Sequence, residues 1–183
     1  MKHMILAALL MTSAALADET PHYTADAKME VPADYRQWVF LTSSIDLNYQ
    51  AGNSSSVHLL DNVFVNPAAY KAFLATGRWP DKTIFIKENR IAESAGTLSK
   101  GGRFQTGIVS TEIHVKDEAR FTGKWAFFAS SDGMKPGDLL PTSASCYSCH
   151  QDHGTVDTTF VQFYPTLIDV AKSKGTWRDD KAK

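Results

Sequence analysis

The chain contains two cysteines, and both lie in one pentapeptide, Cys146-Tyr147-Ser148-Cys149-His150. This restricts what the polypeptide can become. Two thiols three positions apart cannot staple distant segments together, so the fold must rest on a hydrophobic core. Cys-x-x-Cys followed at once by His is the attachment pattern of haem c. The chemistry accounts for the spacing. Two thiols at this separation share one side of a helical turn, where each can add to one of two vinyl groups of a single macrocycle. The adjacent imidazole of His150 then turns to the iron as its proximal ligand. A redox Cys-x-x-Cys would need a thioredoxin-like βαβ pattern near the N-terminus, which is absent. A structural zinc site on Cys146, Cys149 and His153 would lack a fourth ligand at comparable spacing.

The N-terminal segment has the pattern of an export signal. Lys2 supplies positive charge, Met4 to Leu16 is apolar or small throughout, and Ala15-Leu16-Ala17 has the small-x-small form of a cleavage site. Residues 1–17 are therefore expected to be a cleaved signal peptide, and residues 18–183 one periplasmic domain of 183 − 17 = 166 residues. The apolar run is shorter than the ~20 residues needed to span a bilayer, and no later segment is longer, so no membrane insertion is expected. Hydrophobic content of 43% can build a core. A formal net charge of −1 gives no basis for a nucleic-acid partner.

Periodicity predicts an α+β fold, predominantly antiparallel β-sheet with a few short helices and the haem motif near the C-terminus. Strand patterns occur at Val63–Val65, Thr83–Asn89, Gly107–Lys116 and Trp125–Ala129. A helix is expected from an Asn66 cap with Pro67 at its first position, ending at Gly77. Another should cover Asp34 to Trp38, and a third Phe160 to Lys172, disturbed at Pro165. Four long amphipathic helices, which a four-helix haem bundle requires, are not available.

The iron's sixth position is expected to be open. Electron-transfer cytochromes usually fill it with Met or His. None of the 33 residues after His150 is Met, and Met134 lies in a loop-like stretch, Asp132 to Asp138. His58, His114 and Met134 remain candidates for a plain electron-transfer cytochrome. His153 follows His150 too closely to reach the opposite haem face. A five-coordinate iron would bind or transform a small molecule.

Alternation along the strands places Lys87 with Thr83 and Phe85, and Glu112 with Ser110 and His114. By residue type alone, Lys87 reads as a solvent-facing lysine, Glu112 as part of a solvated face, and His114 as a surface histidine.

Several segments, in order, resemble the cytochrome P-460 family. They are Pro32 to Val39 with its Tyr-Arg-x-Trp-Val pattern, Val63 to Tyr70, Thr76 to Asp81, Ile84 to Glu88, Glu112 to Asp117, Trp125 to Phe128, Cys146 to Gln151 and Phe160 to Pro165. The resemblance implies a β-rich, exported mono-haem c protein, homodimeric, that oxidises hydroxylamine to nitrous oxide or nitrite through nitric oxide chemistry. The sequence does not reveal the electron acceptor; another exported cytochrome is the expected partner. Lys87 matches the lysine whose nitrogen cross-links to a haem meso carbon. Glu112 matches the distal carboxylate that takes protons from hydroxylamine. The chain departs from some members by carrying Asp61 or Asn62 where they have a distal arginine. The related cytochromes c′-beta lack the cross-link and bind nitric oxide or carbon monoxide in an apolar, aromatic pocket.

Overall fold

The computed structural model describes residues 19–47, 56–94 and 100–182. The expected signal peptide, residues 1–17, lies outside them. The described chain forms one antiparallel meander of six strands in sequence order. These are β1 (Val39–Ile45), β2 (Leu59–Val65), β3 (Ile84–Ser94), β4 (Arg103–Lys116), β5 (Trp125–Ser130) and β6 (Asp138–Leu139). Helix α1 (Pro67–Thr76) links β2 to β3, while α2 (Ser145–His153) and α3 (Ile168–Ser173) follow the sheet. None of the helices among the described residues is long and apolar enough to cross a membrane.

Strand alternation gives the sheet two buried faces. On one face Phe85 and Trp125 join Phe73 of α1, Tyr164 and Leu167 in a core roofed by the helices. On the other, Ile84, Ile86, Ile113 and Phe128 pack under Met29, Tyr35 and Trp38 of the N-terminal segment. Burial on both faces explains why β5 reads as a continuous apolar run rather than an alternating one.

Helix α1 begins at Pro67 and ends against Gly77 at φ 70, as its sequence signals require. A Cβ at Gly77 would also meet the Lys174 side chain at 2.6 Å. The other two helical expectations need correction. Asp34 to Trp38 closes only a 3-10 turn at Tyr35–Gln37, because Trp38 is already extended at ψ 173 and leads into β1. The stretch from Phe160 splits into a 3-10 turn at Val161–Phe163 and α3, since Pro165 between them offers no N–H to a continuous helix. Strands β1 and β6 lie outside the strand patterns of the sequence; β1, whose second half carries Thr42, Ser43 and Ser44, and the two-residue β6 are held by pairing with β2 and β5.

Glu88 is 2% exposed on the face opposite Lys87. It accepts hydrogen bonds from Tyr35 Oη at 2.5 Å, Arg36 at 2.8 Å, Asn62 Nδ2 at 2.9 Å and Arg90 Nε at 2.8 Å. A buried carboxylate requires such partners. A one-residue slip of β3 would exchange Glu88 with its neighbour Lys87, so the network holds the register that aims Lys87 at the helix-covered face.

Candidate functional site

Three strands send charged side chains onto that helix-covered face. Lys87 on β3 lies directly opposite Glu112 on β4, and Asp61 on β2 lies opposite Asn89, two residues further along β3. Lys87 Nζ donates to Glu112 Oε1 at 3.2 Å and stands 3.9 Å from Asp61 Oδ2. Asn89 Nδ2 also donates to Glu112 Oε1, at 3.0 Å. Asp61 Oδ2 accepts from Ser44 Oγ of β1 at 3.1 Å. Burial pushes the Asp61 carboxyl above the usual value, opposed by the Lys87 charge and the Ser44 hydrogen bond.

Across a cavity of about 540 Å³, α2 faces this wall with Cys146, Cys149 and His150. The volume lies in the range of cofactor pockets, about 300–1,000 Å³. The donor set fits haem c. Both thiols line the cavity as free cysteines on one helix. His150 Nδ1 stands 2.6 Å from the Thr158 carbonyl oxygen. A carbonyl can only accept, so Nδ1 carries the proton and Nε2 keeps the lone pair a metal needs. Burial drives the His150 imidazole down to about 4, against the Thr158 hydrogen bond, so the ring is neutral at physiological pH.

Aromatic rings hold His150. Phe160 packs on it at 4.1 Å between centroids, Phe127 meets it edge-on at 4.6 Å and His114 at 4.9 Å. His114 is not a surface residue: it is 8% exposed, stacked on Phe127 at 4.1 Å and beside Trp125 at 4.4 Å. Burial, and then the neighbouring His150, push its imidazole well below the ordinary histidine value. Nothing in the alternation of β4 distinguished this aromatic box from a solvated face, because the rings that build it come from β3, β5 and α2.

The candidates for a sixth ligand separate clearly. Met134 is exposed and does not line the cavity. His58 Nδ1 pairs with Asp46 Oδ2 at 2.6 Å, also outside the lining. His114 packs against His150 itself, the residue expected on the other face of the iron. Lys87 and Glu112, in contrast, both line the cavity. Glu112 is half exposed, so the wall is open to water on its side rather than dry.

The arrangement thus offers two thiols and a neutral imidazole on one side and two carboxylates around an ammonium on the other. That is a site able to hold a planar macrocycle and to accept protons from something bound beside it. No curated protein matches the chain. The family model for Cytochrome P460 matches residues 32–161, a span that includes Lys87, Glu112 and the whole Cys146–His150 motif.

Proposed function

The chain belongs to the cytochrome P460 family, and from that premise we propose that it is an exported mono-haem c protein that oxidises hydroxylamine to nitrous oxide or nitrite. The observation that carries this reading is the Lys87–Glu112 pair, 3.2 Å apart on the cavity wall that faces the Cys146–His150 helix.

Cys146 and Cys149 would hold haem c through thioethers, with His150 Nε2 as proximal ligand. When bound, the haem supplies an open coordination position and a sink for electrons. The side chains do the rest. Glu112, its direction set by Asn89, hydrogen-bonds the substrate's N–H or O–H and takes a proton as electrons leave. Lys87, bonded through its nitrogen to a meso carbon, would distort and electronically tune the macrocycle. Phe127 and Phe160 pack the His150 ring into one orientation. Export by residues 1–17, a periplasmic location, a homodimeric state and transfer of electrons to another exported cytochrome belong to the same proposal.

A non-catalytic c′-beta-type protein that binds nitric oxide or carbon monoxide is the second reading. The aromatic lining at Phe85, Phe127 and Phe160 favours it. The charged wall of Asp61, Lys87 and Glu112 weighs against it, since a neutral diatomic gas gains little from carboxylates.

The deciding experiment is the absorption spectrum of the ferrous holoprotein, matured with haem c, together with turnover of hydroxylamine by a one-electron dye. A strongly red-shifted Soret band with turnover supports the proposal. An ordinary high-spin spectrum without turnover supports the gas-binding protein instead.

A further inference from the structure

Lys87 stands between two carboxylates whose settings differ. Glu112 reaches it from β4 with a half-exposed side chain, while Asp61 reaches it from β2 with 8% of its side chain exposed. Both line the same cavity. Among the described residues Asp61 has one neutral donor, Ser44 Oγ at 3.1 Å, and a 3.9 Å share of an ammonium that lies closer to Glu112. As charged groups the three sum to −1. A buried carboxylate so partnered is costly to keep ionised and takes up a proton readily. The cost grows if Lys87 nitrogen becomes bonded to a macrocycle carbon, because the ammonium charge is then lost and the sum becomes −2.

We propose that Asp61 is the second proton-accepting carboxylate of the cavity, working beside Glu112 across Lys87. Its substrate rests on the hydroxylamine-oxidising reading above. Removing two electrons from hydroxylamine releases two protons, NH2OH → HNO + 2 H+ + 2 e−. The haem, when bound, would be the electron sink, and the oxidant that balances the step is a one-electron acceptor, another haem protein or a dye. Glu112 takes one proton and Asp61 the other. The groups that act on Asp61 are Ser44 of β1, Asp46 just past the end of β1, Lys87 of β3 and Glu112 of β4, with the neutral His150 of α2 across the cavity. Of these, only Lys87 and Ser44 favour the charged form.

The test compares wild-type holoprotein with Asp61→Asn, Glu112→Gln and Ser44→Ala. The absorption of the ferric holoprotein, without substrate, is titrated against pH, and turnover with hydroxylamine and a one-electron dye is measured over the same range. Asp61→Asn should keep attached haem and lose one ionisation that Glu112→Gln retains. Its turnover should fall about 10²-fold or more. Ser44→Ala removes a hydrogen bond to the ionised form, so it should move that ionisation to higher pH with both carboxylates intact. This keeps the test decisive if Asp61→Asn does not mature. A spectral titration unchanged in Asp61→Asn, or unmoved in Ser44→Ala, overturns the proposal. If the Asp61-dependent ionisation is present but wild-type protein does not oxidise hydroxylamine, the functional reading fails and the proton-accepting role of Asp61 stands.

Discussion

The Thr158 carbonyl accepts the Nδ1 proton of His150 at 2.6 Å, and residue 154 lets the two come together by having no side chain. A Cβ at Gly154 would lie 2.6 Å from the His150 carbonyl oxygen, 2.8 Å from Thr159 N and 2.9 Å from Thr158 C. All three are backbone atoms that cannot rotate aside. Gly154→Ala should therefore push the 158–159 loop off α2 and loosen the hydrogen bond that orients the imidazole. A loss of about 1–3 kcal/mol is expected from overpacking, with a changed ferrous absorption spectrum because the ligand's basicity depends on that bond. Denaturant midpoints and spectra identical to wild type would show that the loop adjusts freely.

Lys87→Leu removes the nitrogen while keeping an apolar stem on the cavity wall. Haem should still attach through Cys146 and Cys149, since neither thiol depends on β3. The red shift of the Soret band and hydroxylamine turnover should both disappear. Mass spectrometry of the haem peptide reads attachment, and the ferrous spectrum reads the cross-link. Full turnover by this variant would remove Lys87 from the mechanism.

Glu112→Gln keeps the shape of the side chain and an oxygen that can accept from Asn89 Nδ2. It cannot take a proton. Turnover should slow by roughly 10²–10⁴-fold, the usual contribution of a general base, with haem attachment and thermal midpoint close to wild type. Steady-state rates that match wild type would place the proton acceptor elsewhere.

Acid should weaken the clasp between the N-terminal segment and the sheet. Asp117 accepts from Tyr23 Oη at 3.1 Å, from Lys82 Nζ and from Arg120 N at 3.2 Å. Burial pushes its carboxyl upward, but Lys82, Tyr23 and Arg120 N–H together hold it below the ordinary value of 3.8. The unfolded chain then binds the proton more readily than the folded one. The stability Asp117 contributes is complete above the unfolded value and drains as pH falls through the folded one. Asp117→Asn should cost roughly 1–3 kcal/mol near neutral pH. Its difference from wild type should shrink below about pH 4. Denaturant unfolding at both pH values measures this, and a difference independent of pH would contradict it.

Local chemistry made part of this protein legible from the sequence. The Cys146–His150 spacing, the Pro67 start and Gly77 stop of α1, and the alternation that separates Phe85 and Lys87 from Ile84 and Ile86 depend on residues within a few positions of one another. Short-range geometry decides such features, so a linear reading recovers them. The disturbance at Pro165 was legible in the same way; what the linear reading missed is its extent, a complete division into a 3-10 turn and α3.

Strand pairing and loop packing decided the rest. Alternation told which residues share a face of one strand, but not which face the helices cover. That choice placed Lys87 between Asp61 and Glu112, residues 26 positions before it and 25 after it. It also buried His114 among rings from β5 and α2, and brought Thr158 onto His150. Each of these contacts joins side chains whose separation along the chain carries no trace of their separation in space, so only the tertiary structure could bring them together.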